Sequence, residues 1–331
     1  MKFTKKQSFF FLVVLLIIVS ILSFVLGAAH LSLSELFQVF LKPGSNILAE
    51  NIFWYVRFPR TIACLFAGAA LAGAGVVIQA VLANQLASPS ILGINAGAGL
   101  GVTLCCALGL LSGWYIAGAA FIGAFIATLL IVFLASQTQA SKTTVLLSGV
   151  AINTILNAAS SAITTFVPEV SIMSNDFKVG GFSGVTMNRL LPAIVVISIT
   201  IIILYTLCND LDIMKLGEES AQSLGLSVKK MRTLFLLLAS LLAGASVSFA
   251  GLIGFVGLIV PHIAKKLVGS ESQYLFPFSL LLGAFLVLTC DLIARLCFQP
   301  FELPTGILLS LIGGPFFIYL LVKRKGRGHH A

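Results

Sequence analysis

The chain has 331 residues, of which 59% are hydrophobic and only 9% charged, with a mean hydropathy of +1.09 and a formal net charge of +9. This excludes a soluble domain of ordinary composition, in which about a quarter of the residues are charged. The expected surroundings are a lipid bilayer, not nucleic acid.

In chain order, Lys2, Lys5 and Lys6 precede an apolar run at 8–28, too long for the apolar core of a cleaved secretory signal and read as a retained span. Between Arg60 and Lys142 lie 81 residues without one Asp, Glu, Lys, Arg or His. A crossing needs only about 20 apolar residues, so this stretch crosses several times. Spans are predicted there at 61–83, 90–111 and 115–136, followed by 143–166, 190–209, 232–252, 254–264, 273–296 and 304–322. The fold class is therefore all-α, a polytopic membrane protein of about ten transmembrane helices forming a single transmembrane domain over 1–331. The run at 254–264, with Gly254, Gly257 and Pro261, is short for a crossing and should survive only when packed inside the bundle.

Placing the N-terminus inside puts Lys2, Lys5, Lys6, Lys142, Lys215, Lys229, Lys230, Arg232, Lys265, Lys266, Lys323, Arg324, Lys325 and Arg327 on the cytoplasmic side. These are 14 of the 20 Lys and Arg, leaving Lys42, Arg57, Arg60, Lys178, Arg189 and Arg295 outside. The bias satisfies the positive-inside rule with both termini cytoplasmic, and so requires an even number of spans.

The longest connections, near 29–56, 167–189 and 210–231, leave no room for a soluble catalytic domain, and no G-x-x-x-x-G-K-[ST] occurs. The chain is read as a transport subunit and not an enzyme. Almost no ionisable group falls at mid-membrane depth, which disfavours a proton- or sodium-driven carrier. The cysteines Cys64, Cys105, Cys106, Cys208, Cys290 and Cys297 lie in or at the ends of apolar runs and lack C-x-x-C spacing, so no metal site or cofactor is expected.

Gly93, Gly97 and Gly101, and Ala119, Gly123 and Ala127, recur every four residues, a spacing that serves close helix packing or the wall of a path. Arg60-Thr61, Ala67 and Leu71–Ala74 recur faintly as Arg232-Thr233, Ala239 and Leu242–Ala245, five spans later; this is either a chance match of small apolar residues or an inverted repeat, whose halves would have opposite orientation. Asp291 and Arg295, one helical turn apart, are spaced to pair. Arg57, Arg60 and Arg295 run against the charge bias. They either snorkel to lipid phosphate or form a dock for acidic residues of an external protein. Segment 212–225, with acids early and Gly225 late, reads as a short capped helix on the cytoplasmic side, or a solvated linker.

Five motifs in order carry a resemblance over nearly the whole chain. They are Arg57-Phe-Pro-Arg60; Gly73-Ala-Gly-Val-Val-Ile-Gln79; Asn84-Gln-Leu-Ala-Ser-Pro89 with Leu92-Gly93; Gly254-Phe-Val-Gly-Leu-Ile-Val-Pro-His262; and Glu302-Leu-Pro-Thr-Gly306 with Gly313 and Pro315. The chain resembles the membrane subunits of type II ATP-binding-cassette importers for iron siderophores, haem and vitamin B12. Gln85 stands where that family usually has proline, and Phe177-Lys-Val-Gly-Gly181 where W-x-x-G-S is common.

The resemblance implies import of an iron siderophore or related metal chelate across the cytoplasmic membrane, with haem, vitamin B12 or an oxyanion as alternatives. It implies a second permease subunit, in a homodimer or close heterodimer around one central path, two separate ATP-binding subunits and an extracytoplasmic substrate-binding protein docked on Arg57, Arg60 and Arg295. It also assigns Asn84, Leu86, Thr143 and Thr144 to a cytoplasmic gate. Leu216, Gly217, Glu218, Glu219, Ser220, Ala221, Leu224 and Gly225 fall in the loop that couples to the ATPase.

Overall fold

The computed structural model describes residues 4–27, 46–137, 142–297 and 301–325, together with 35, 39 and 41. Lys2, Lys42 and Arg327 lie outside the described residues, as do the side chains of Lys142, Thr143, Lys323, Arg324 and Lys325.

Helix α1 (Lys5–Val25) starts on a reciprocal cap: the Gln7 N–H donates to Thr4 Oγ1 (3.4 Å) and the Thr4 N–H to Gln7 Oε1 (2.9 Å). Two of the first-turn donors that no helix can satisfy internally are thereby used. Helix α2 (Ile47–Asn51) runs through a π-helical turn at Ile52–Arg57 into α3 (Phe58–Val81), with Pro59 following directly on the π turn. After a 3₁₀ turn at Pro89–Leu92 come α4 (Ile94–Ala107), α5 (Gly113–Gln137), α6 (Lys142–Phe166) and α7 (Glu169–Val179). They are followed by α8 (Met187–Thr206), α9 (Cys208–Lys215), α10 (Glu218–Ser223) and α11 (Val228–Ala250). The chain continues through α12 (Val256–Val268), α13 (Ser272–Leu296) and α14 (Thr305–Lys325), with no strand among the described residues.

Among the described residues, seven segments are long and apolar enough to cross a bilayer: α1, the α2–α3 stretch, α5, α6, α8, α11 and α13. Helices α4, α14 and the 13-residue α12 supply the other three expected spans. All ten predicted spans are helical, with boundaries within a few residues of expectation.

Helix α3 is the hub: most of its residues are buried, whereas most of α1 and α6 is not. It packs on α11, α12 and α13. The backbones touch where glycines face each other: no Cβ fits at Gly68 against the Gly283 carbonyl of α13, nor at Gly75 against the Gly257 carbonyl of α12. Lipid offers no hydrophobic drive for helix association, so such contacts carry much of the packing. The short α12 survives because Val256–Pro261 are all buried in this way. Gly97 and Gly101 of α4 lie against Gly123 and Ala119 of α5, so that small-residue stripe serves helix packing.

Contacts divide the bundle into two ends. The ends of α1 and α13 meet the starts of α3 and α14 at one, which carries Arg57, Arg60 and Arg295. The starts of α1, α11 and α13 meet α9, α10 and the ends of α3 and α12 at the other, which carries Lys5, Lys215, Arg232 and Lys265. Helices α3 and α11, which hold the two similar segments, pack together and run in opposite directions between these ends.

Candidate functional site

At the arginine end all three predicted cations turn inward. Arg57, Arg60 and Arg295 are 3%, 6% and 3% exposed within the chain, and the last two meet an Asp291 with no exposure at all. Arg60 clasps Asp291 with Nε (3.2 and 3.1 Å) and Nη2 (3.0 Å), and its Nη1 donates to Glu302 Oε2 at 2.6 Å. Arg295 Nε lies 3.0 Å from Asp291 Oδ2, and its Nη2 donates to Ser23 Oγ at 2.8 Å. Thr305 Oγ1 donates to Asp291 Oδ1 at 2.9 Å. A carboxylate this deep is tolerated only with charge-assisted bonds to most of its lone pairs, and these supply them. Arg57 donates to the Phe24 and Val25 carbonyls, capping the last turn of α1 with a cation where the helix dipole favours one.

The expected Asp291–Arg295 turn is therefore part of a larger cluster that also ties in Arg60 and Glu302. A cavity of about 320 Å³ opens beside it, lined by Arg60, Asp176, Phe182, Glu302 and Thr305 among others. A second, of about 280 Å³, lies next to it over Asp176, Phe177, Arg189 and Gly251. The F-K-V-G-G segment forms the floor between them: Gly181 N donates to Ala250 O (2.8 Å), Leu252 N to Phe177 O (2.9 Å) and Gly306 N to Gly180 O (3.0 Å). Gly180 and Gly251 adopt φ of 75° and 69°, left-handed values that admit glycine best.

At the lysine end, Asp212 accepts from the Ser272 N–H (3.1 and 2.9 Å), from Ser272 Oγ (2.7 Å) and from Lys215 Nζ (2.6 Å). The carboxylate pins α9 to the N-terminus of α13, the helix end that favours negative charge. Burial works to raise its pKa, but the bonds from Lys215 and Ser272 outweigh this and hold it below the usual carboxylate value. Segment 212–225 is two helices: α9 stops at Lys215, and α10 ends in a Schellman motif, with Leu226 N donating to Ala221 O and Gly225 N to Gln222 O, and Gly225 at φ 83°. Leu216, Glu218, Glu219, Ser220, Leu224 and Gly225 are exposed, and Gly217 is half-buried. Ala221 is fully buried, so it seats the helix instead of presenting a surface. Glu218 pairs with Arg232 at the start of α11.

Of the gate residues, Asn84 Oδ1 accepts from the Leu86 N–H at 2.9 Å, a local turn in which the side chain replaces a backbone acceptor. Leu86 and Thr144 are half-buried at the same end, and the side chain of Thr143 lies outside the described residues. The 3₁₀ turn after Asn84 is tied to α6 by Asn153 Nδ2, which donates to the Ser90 and Ile91 carbonyls at 3.0 and 3.3 Å. Gln79 bridges α3 and α12, donating to Gly257 O at 3.2 Å and accepting from Lys265 Nζ at 3.4 Å.

Sequence reasoning missed Glu302 as the second partner of Arg60, Asp212 as the clamp on α13, and Glu218 as the partner of Arg232. The signal was the scarcity of acids: with 11 Asp and Glu in the chain, any charge at a span end has few partners to choose from.

The FecCD transport family matches residues 15–323. The chain is 36% identical over 316 residues, 93% of its length and 92% of the relative's, to a probable siderophore transport system permease protein of Bacillus subtilis. It is 33% identical over 315 residues, 93% of its length and 94% of the relative's, to a hemin transport system permease protein of Yersinia pestis. A solved structure described as an inward-facing conformation of a metal-chelate type ABC transporter superposes with a TM-score of 0.83 at 31% identity, covering 95% of this chain and 98% of that one. Ten helical spans, the charged clusters at their two ends and these full-length matches agree: the chain belongs to the FecCD transport family.

Proposed function

We propose that this chain is the permease subunit of an ATP-driven importer for an iron siderophore or related metal chelate, in the cytoplasmic membrane with both termini inside. The arginine end then faces outward and receives a substrate-binding protein, and the lysine end faces two ATPase subunits. The opposed character of these ends carries the reading. One holds a buried, mostly neutralised arginine cluster beside open cavities, and the other an exposed short helix, α10, on a clamped base. Charge bias supports the orientation, since Lys5, Lys6, Lys215, Lys229, Lys230, Arg232, Lys265 and Lys266 share the end assigned to the cytoplasm.

Helix α6 supports a second permease copy around a central path. It is the least apolar of the seven long spans and also the most exposed, the reverse of what lipid contact selects. Its exposed residues include Thr154, Asn157, Ser161 and Thr165, suited to water or a partner helix. Relatives named for siderophores supply the cargo class. Asn84, Leu86, Thr143 and Thr144 would narrow the path at its cytoplasmic end.

Reconstitution with the ATPase subunits and the binding protein tests this. Uptake of a ferric siderophore should require ATP and stop with vanadate; uptake that ignores vanadate refutes the importer, and preference for haem or cobalamin refutes only the cargo. Docking on the arginines should weaken as salt rises and fall at least about tenfold in Arg60→Lys, which keeps the charge but loses the fork. Salt-independent affinity, unaltered by that change, refutes the dock.

A further inference from the structure

We propose that the cavity beside Arg60 is a seat for a carboxylate of the external delivery protein, and that Glu302 is the internal occupant this carboxylate displaces. The inference rests on the docking reading above. Arg60 has two unequal partners. Asp291 is fully buried, takes Nε and Nη2, and is held in addition by Thr305 and Arg295, so nothing from outside reaches it. Glu302 takes only Nη1, at 2.6 Å, and its side chain is 33% exposed. The 320 Å³ cavity is bounded by this pair and by Asp176, Phe182 and Thr305. That is room for several waters or for an incoming acidic side chain.

Charge favours exchange over simple addition. Arg60 and Arg295 meet the two carboxylates of Asp291 and Glu302, so these charges already balance and a further carboxylate added beside them would leave an excess of negative charge. An incoming carboxylate that replaced Glu302 on Nη1 would keep Arg60 paired throughout, so the guanidinium is never stranded in a poorly solvated place. Glu302, already partly in water, loses little by swinging out. A resident acid also makes the seat selective: a partner must outcompete Glu302, which a diffuse anion or a lipid phosphate does less well than a rigidly presented carboxylate.

The experiment measures binding of the loaded delivery protein to the complete transporter in lipid nanodiscs, for the wild type, Glu302→Gln, Glu302→Asp and Asp176→Asn. Glu302→Gln removes the competitor, and affinity should rise about tenfold, mainly through slower dissociation. Glu302→Asp keeps the charge and shortens the reach, and should give a smaller gain of about threefold. Asp176→Asn changes the field of the same cavity by the same charge without touching Arg60, and should act on the association rate by less than about twofold. Equal effects of Glu302→Gln and Asp176→Asn would overturn the exchange, as would weakened or unchanged binding in Glu302→Asp. Should Glu302→Gln fail to assemble, Glu302→Asp decides alone, and its failure to assemble would show a structural acid and also overturn the proposal. Wild-type affinity indifferent to salt and to Arg60→Lys would instead remove the dock itself. A salt-sensitive dock with no gain in the Glu302 variants removes only the exchange.

Discussion

Replacing Asp291 by asparagine removes one charge while keeping nearly the same shape. The amide oxygen still accepts from Thr305, but an NH₂ group then faces either Arg60 or Arg295, both of which are donors only. Breaking a buried ion pair by neutralising one partner costs about 3–5 kcal/mol. Arg60 keeps Glu302, so the lower value, about 3 kcal/mol, applies here. At roughly 2 °C per kcal/mol for a chain of this size, the midpoint of unfolding should fall by about 6 °C. The assay is size-exclusion of detergent-solubilised protein after graded heating, with half-lives at one temperature recorded too, because unfolding of such a protein is irreversible. Adding Arg295→Met removes the stranded cation and should recover part of the loss, so the double variant is more stable than the sum of the single effects predicts. A single variant within 2 °C of wild type, or strict additivity in the double, would refute the claim that Asp291 holds the cluster together.

Gly75→Ala pushes a methyl into the Gly257 carbonyl and should cost about 1–3 kcal/mol, read as a lower midpoint in the same heating series. Leu216→Asp with Leu224→Asp alters two exposed side chains beside α10 and should weaken pull-down of the ATPase subunit while leaving thermal stability unchanged. Asp212→Asn should destabilise by about 1 kcal/mol at neutral pH, the clamp being part-exposed. Because the folded-state pKa of Asp212 lies below the ordinary 3.8, its contribution is present above that pH and is lost as pH falls through the folded value. The gap between wild type and Asp212→Asn should therefore close in acid, and a gap that persists there contradicts the clamp.

The spans were legible because each is a long apolar run bounded by charge or glycine, and even the short α12 followed from Gly254, Gly257 and Pro261. The Asp291–Arg295 pair was legible because one helical turn brings it together regardless of fold. Arg60 with Asp291 was not: 231 residues separate them, and only the crossing of α3 on α13 at Gly68 and Gly283 brings them into reach. The inward turn of the arginines was hidden for the same reason, since a cation at a span end reads as outward-facing until its acids are placed. Segment 212–225 read as a single helix because the break lies at Leu216–Gly217, where Gly217 adopts a φ of 103° that residue counts do not reveal.

Two arginines give the two ends a common logic. Arg60 stands near the start of α3 and Arg232 near the start of α11, and the antiparallel packing of these helices carries the two residues to opposite ends of the bundle. A cation buried within the bundle needs a carboxylate close by. Each has one from an adjoining segment, Glu302 just ahead of α14 for Arg60 and Glu218 at the head of α10 for Arg232. Each glutamate is more exposed than the arginine it holds, with side chains 33% and 47% accessible against 8% and 12%. An arginine fixed in the bundle with its acid at the surface is the arrangement in which an external protein can work on a helix end by working on the acid. At one end that acid borders the cavity assigned to delivery, and at the other it lies on the helix assigned to the ATPase.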